Sequence, residues 1–179
     1  MKAQKFTLLV VDDDENDRFF IERSFQKLNL DYRIHGLTSG DQAIAFITGG
    51  GKYADREKFQ FPSYIITDLK MPDGDGFKLL DFIKQNPALS IIPVVMLSAS
   101  NDPDDIRQAY LLGASSYFNK PSAVGMERLI KKIHDYWSDC EVPAVDRKGY
   151  AIMTDCEGKL GARFARTRRS PGPLNPPSV

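Results

Sequence analysis

Five residues of this 179-residue chain have types and settings that would do chemistry together: Asp12, Asp13, Asp68, Ser98 and Lys120. Each stands where a short apolar run of strand length stops. Phe6 to Val11 stops at Asp12-Asp13, Tyr64 to Thr67 at Asp68, Val94 to Leu97 at Ser98, and the run from Ser116 at Lys120. Several carboxylates in one place make a hard oxygen site, which suits Mg2+ with its octahedral shell and retained waters. A hydroxyl and an ammonium nearby are what a phosphoryl group needs for charge stabilisation. The run Asp12-Asp13-Asp14-Glu15 adds weight, because four adjacent carboxylates repel unless a cation sits among them. A helix start would account for one or two, and Asp14, Glu15 and Asp17 read as solvated first-turn charges.

The elements that must position these residues alternate. After the first strand, Phe20, Ile21, Ser24, Phe25 and Leu28 recur at helical spacing. Residues 32–37 read as a second strand. Ser39 and Gln42 form a capping box for a helix through Ile47 that Gly49 ends. A polar connection, residues 52–60, leads to the strand that carries Asp68. The turn-formers from Leu69 to Gly76 leave Asp68 at that strand's carboxyl end. Phe77, Leu80 and Ile83 mark a third helix, and Asp102-Pro103 cap a fourth that Gly113 closes. A last helix spans about 124–137, burying Leu129, Ile130 and Ile133. Five strand–helix repeats imply a doubly wound α/β domain: a parallel sheet covered on both faces, with ligands at the strands' carboxyl ends. The domain is expected over residues 1–138, followed by an extension over 139–179.

Composition excludes several classes. Formal net charge is zero, so no global pull toward nucleic acid or an anionic membrane is implied. The balance is uneven: residues 1–140 carry 17 basic and 20 acidic side chains, residues 141–179 carry 7 and 4. Cys140 and Cys156 are too few for a disulfide framework, and His35 and His134 lack partners at metal-ligand spacing. No secretory leader or membrane-length apolar run is present, so a cytosolic protein is expected.

The stretches Leu8 to Asp13, Ile65 to Pro72, Val94 to Ala99 and Gly113 to Pro121 resemble the receiver domain of bacterial two-component response regulators. The resemblance covers about residues 5–137 and implies a five-stranded parallel sheet of order 2-1-3-4-5 with five helices. It makes Asp68 the phosphoacceptor, Asp13 a direct Mg2+ ligand, Asp12 a second acidic partner acting through water, and the Lys70 backbone carbonyl a further ligand. Ser98 would bind the phosphoryl group and Lys120 pair with it. Tyr117 would turn inward on activation, Lys70 and Ser100 would tune phosphate lifetime, and a cis peptide would precede Pro121. The partner implied is a sensor histidine kinase or phosphotransfer protein. The insertion from Gly49 to Phe59, with Tyr136-Trp137, looks like the small stand-alone receivers associated with phytochrome-type histidine kinases, and a receiver homodimer would follow.

Two other classes compete. A DNA-binding output domain would need more than the roughly 40 residues that follow, which lack helical periodicity. An aspartate-nucleophile phosphatase would need a second carboxylate two residues after the nucleophile, where this chain has Lys70. The chain therefore reads as a phosphoacceptor with self-phosphorylation and slow autodephosphorylation only, not as an enzyme. The extension carries four arginines between Arg163 and Arg169, then a proline-rich end. It is expected to be largely disordered. The alternative function is contact with nucleic acid or an anionic surface through that basic stretch.

Overall fold

The computed structural model describes residues 6–87 and 89–140. Strand and helix alternate along it: β1 (Phe6–Val11), α1 (Glu15–Lys27), β2 (Tyr32–Leu37), α2 (Gly40–Thr48), β3 (Tyr64–Thr67), α3 (Gly76–Gln85), β4 (Val94–Ser98), α4 (Pro103–Leu111), β5 (Ser116–Asn119) and α5 (Ala123–Asp139). A 3-10 turn, Gly51–Tyr53, follows α2. The strands form one parallel sheet in the order β2-β1-β3-β4-β5.

Successive strand residues point to opposite faces, and both faces of this sheet are covered. Leu9, Val11, Ile65, Val94 and Met96 pack beneath α2, α3 and Ala109 of α4. Leu8, Val10, Ile66, Val95 and Leu97 pack against Ile21 and Phe25 of α1 and Met126, Ile130 and Ile133 of α5. Leu129 only flanks the α5 cluster, half-buried. The caps fall where side-chain chemistry puts them. Ser39 Oγ accepts from the Gln42 N–H at 3.2 Å, Asp75 from Lys78 at 2.8 Å, and Asp102 from Asp104 at 2.9 Å. Gly49 closes α2 at φ 74°, a conformation that favours glycine.

The connection after α2 is polar in composition but not in structure. Tyr53 and Phe61 are buried and Phe59 half-buried against the α2–α3 core. Phe59 meets Phe46 and Tyr53 edge-on. Arg56 lies over the Phe61 ring, 5.6 Å from its centroid, its guanidinium donating to the Phe46 and Phe59 carbonyls at 2.8 and 3.3 Å and to the Ile47 carbonyl at 2.6 Å. It thereby ties the last turn of α2 to the connection that follows it. The polar connection expected over residues 52–60 thus has a packed side as well: Tyr53, Phe59 and the following Phe61 build a flap.

Residues 141–179, including the arginine-rich stretch and Cys156, lie outside the described residues, as do residues 1–5.

Candidate functional site

Backbone register brings the acidic residues together. Val11 of β1 pairs with Thr67 of β3, and the Asp68 N–H donates to the Val11 carbonyl at 2.8 Å. Asp12 and Asp68, each one residue further, therefore stand level on neighbouring strands. Two strands along, Ser98 pairs with Asn119, and the Lys120 N–H donates to the Ser98 carbonyl at 2.8 Å. All these residues share the carboxyl rim of the sheet. The start of α3 presses close beneath: a β-carbon at Gly76 would overlap the Asp68 carbonyl.

Asp12 and Asp68 are buried, at 2% and 8% exposure, while Asp13 is exposed. One carboxylate oxygen from each of the three lies within 4.8 Å of the others. Hard anionic oxygens at that spacing fit a divalent cation of the Mg2+ or Mn2+ type, since three uncompensated carboxylates repel. Lys120 supplies part of the compensation. Its Nζ lies 2.8 Å from Oδ2 of Asp12, of Asp17 and of Asp68. The second oxygen of Asp68 accepts from the Leu69 N–H at 2.6 Å, and that of Asp12 from the Asp14 N–H at 3.0 Å. Burial pushes the Asp12 carboxyl up to about 6, against the pull of Lys120. Burial alone would depress the Lys120 ammonium, but its bonds to Asp12, Asp17 and Asp68 prevail and hold it above the ordinary lysine range.

Ser98 is fully buried at the end of β4, between the strands that carry Asp68 and Lys120; its Oγ accepts from the Ser100 N–H at 3.3 Å. Tyr117 is half-buried on β5, and its hydroxyl donates to the Ser100 carbonyl at 3.0 Å. The Lys70 side chain is exposed, with Nζ 3.3 Å from Asp105 Oδ2, and Ser100 Oγ donates to that same oxygen at 2.6 Å. The Ser100 bond, then Lys70, holds the Asp105 carboxyl below its usual range. Lys70, Asp105, Ser100 and Tyr117 thus form one polar chain across the β4–α4 loop.

Two expectations fail at the site, and two residues, Asp105 and Arg18, were not singled out in the sequence. Asp17 is not a solvated charge but a Lys120 partner, brought there from the first turn of α1 with no signal in its sequence spacing. Asp105 ties Lys70 to the loop. Arg18 donates from its guanidinium to the Asp12 carbonyl. Asp14 does behave as expected, capping α1 by accepting from the Asn16 N–H at 2.8 Å. The cis peptide implied before Pro121 is not found: no described peptide bond is cis.

Residues 8–134 match the family model described as the response regulator receiver domain. The chain belongs to that family. It is 34% identical to the probable methanogenesis regulatory protein FilR2 of Methanothrix harundinacea, over 74% of this chain and 83% of that one. It is 30% identical to the response regulator Rcp1 of Synechocystis sp., over 73% and 87%. Among solved structures it resembles the phosphorylated cyanobacterial phytochrome response regulator RcpA, with a TM-score of 0.74, 28% identity and coverage of 79% and 100%. The Mn2+-bound form of Rcp1 superposes with a TM-score of 0.71, covering 78% and 99%. Response regulators of this kind are signalling proteins, and their receivers bind divalent metal and interact with histidine kinases or phosphotransfer proteins. No described helix is long and apolar enough to cross a membrane.

Proposed function

We propose that Asp68 accepts a phosphoryl group from a phosphohistidine on a sensor histidine kinase or phosphotransfer protein, with Mg2+ as the working cation. The observation that carries this reading is the convergence of Asp12, Asp13 and Asp68 beside an ammonium 2.8 Å from Asp68. Asp13 and Asp68 would hold the cation directly, Asp12 through water, and the Lys70 backbone carbonyl would complete the protein's share. A divalent cation bound there would cancel charge on both carboxylate and donor. A carboxylate oxygen of Asp68 bonds to phosphorus while the phosphorus–nitrogen bond breaks and its electron pair stays on the donor imidazole. The sheet fixes Asp68 in place for that displacement. Lys120 and the Ser98 hydroxyl bind the new phosphoryl oxygens. The pull on Ser98 reaches Ser100, whose N–H it accepts, and so the Tyr117 hydroxyl that donates to the Ser100 carbonyl. The altered surface on α4, β5 and α5 is the output, in the cytoplasm and through protein contact.

The relatives named after phytochrome support a phytochrome-type kinase partner, and a receiver homodimer is part of the same reading. The basic stretch Arg163 to Arg169 keeps nucleic acid as the less favoured alternative. The test is incubation with acetyl phosphate and Mg2+, read on a phosphate-affinity gel. The wild-type protein should shift once and Asp68→Asn not at all; an unchanged shift in the variant would refute the assignment.

A further inference from the structure

An ammonium has three N–H donors, and three carboxylates meet Lys120 Nζ at 2.8 Å. They come from three elements: Asp12 after β1, Asp68 after β3, and Asp17 from the first turn of α1. Asp12 and Asp68 also belong to the group that converges for a cation, together with Asp13. Asp17 faces the ammonium instead. Its neighbours are otherwise engaged, Asp14 in capping α1 and Glu15 in solvent. The Lys120 and Asp17 side chains are only 11% and 29% exposed, so this pair is not of the fully solvated kind that solvent and salt cancel.

We infer that Asp17 is a positioning residue, holding one N–H of Lys120 toward α1 and so dividing the ammonium between the resting site and a phosphoryl group on Asp68. The inference rests on the reading of Asp68 as phosphoacceptor. It has two consequences of opposite sign. Phosphoryl transfer replaces a singly charged carboxylate with an acyl phosphate of up to two negative charges. Lys120 must then turn toward the new oxygens and away from Asp17, whose own charge repels them. Asp17 therefore restrains phosphorylation. Toward a cation its effect is the reverse, because Lys120 competes with the cation for Asp12 and Asp68. Asp17 draws the ammonium off those carboxylates and adds negative charge, and so favours cation binding.

The experiment compares the full chain with Asp17→Asn and Asp17→Glu. At saturating Mg2+, phosphorylation of Asp17→Asn by acetyl phosphate should be roughly five-fold faster than wild type. Its Mg2+ dissociation constant, measured by calorimetry, should be roughly five-fold weaker. Asp17→Glu, which keeps the charge, should return both values toward wild type. A residue that merely braces α1 would move both readings in the harmful direction, slower and weaker, and Asp17→Glu would not restore them. That result, or no change in either reading, would overturn the inference. A wild-type chain that takes no phosphoryl group would instead overturn the phosphoacceptor reading. The Mg2+ titration, which involves no phosphoryl chemistry, would still decide Asp17.

Discussion

Asp12 is buried on the rim and its carboxyl is pushed up to about 6, so a cation that needs the charged form competes with a proton as the pH falls. Mg2+ affinity should drop below about pH 6, measurable by calorimetry across a pH series. The same burial bears on stability. The folded carboxyl lies above its ordinary value of 3.8, so between about pH 4 and pH 6 the folded chain holds the extra proton. Metal-free stability should therefore fall as the pH rises through that window, and not recover above it. Asp12→Asn removes the buried charge and should stabilise the metal-free protein at pH 7.5 by about 1–3 kcal/mol. That gain should vanish toward pH 4, as urea midpoints in chelator would read. Asp13 and Asp14 separate in a different way. Asp13→Asn should weaken Mg2+ binding much more than Asp14→Asn, whereas Asp14→Ala should lower stability through the lost helix cap. Calorimetry and urea melts on the two positions would expose a register error of one residue.

At the scale of elements, the flap between α2 and β3 depends on one guanidinium. Arg56→Ala strips three bonds from the Phe46, Ile47 and Phe59 carbonyls and should cost about 2–3 kcal/mol. Hydrogen exchange would locate the loss at the end of α2. Arg56→Lys should not rescue it, because one ammonium cannot reproduce the planar fork. This element was the least legible in the sequence. Arg56 sits amid Asp55, Glu57 and Lys58 in a stretch whose charges describe its outer side, while Tyr53, Phe59 and Phe61 had no periodicity to betray them. Strands β1, β3 and β4 were legible because each apolar run stops on a polar residue, and Asp102-Pro103 and Ser39 marked helix starts by local chemistry alone. The site was legible in part. Asp12, Asp68, Ser98 and Lys120 are strand-end residues, which register brings together. Asp17 and Asp105 stand on helices, and only the packing of α1 and α4 on the sheet brings them to Lys120 and Lys70.

At the scale of the whole molecule, the sheet, both cores and the candidate site are formed, among the described residues, by elements that end with α5 at Asp139, and the family match ends at residue 134. We expect a chain cut after Asp139 to take up phosphoryl from acetyl phosphate at the full-length rate, with an unchanged melting temperature. Loss of either would move the domain boundary into the extension. The charge asymmetry of the sequence places net positive charge beyond residue 140, so truncation should also lower the isoelectric point.

The chain has a single tryptophan, and its setting decides what fluorescence reports. Trp137 of α5 stacks on Tyr64 with ring centroids 6.2 Å apart. Tyr64 opens β3 and Asp68 follows its end, so about 13 Å of extended backbone separates that stacked pair from the rim. Emission should shift sharply when α5 leaves the sheet and stay nearly constant when a cation or phosphoryl group arrives. Intrinsic fluorescence would thus follow unfolding without interference from site occupancy, and the two processes can be followed independently in one unlabelled sample.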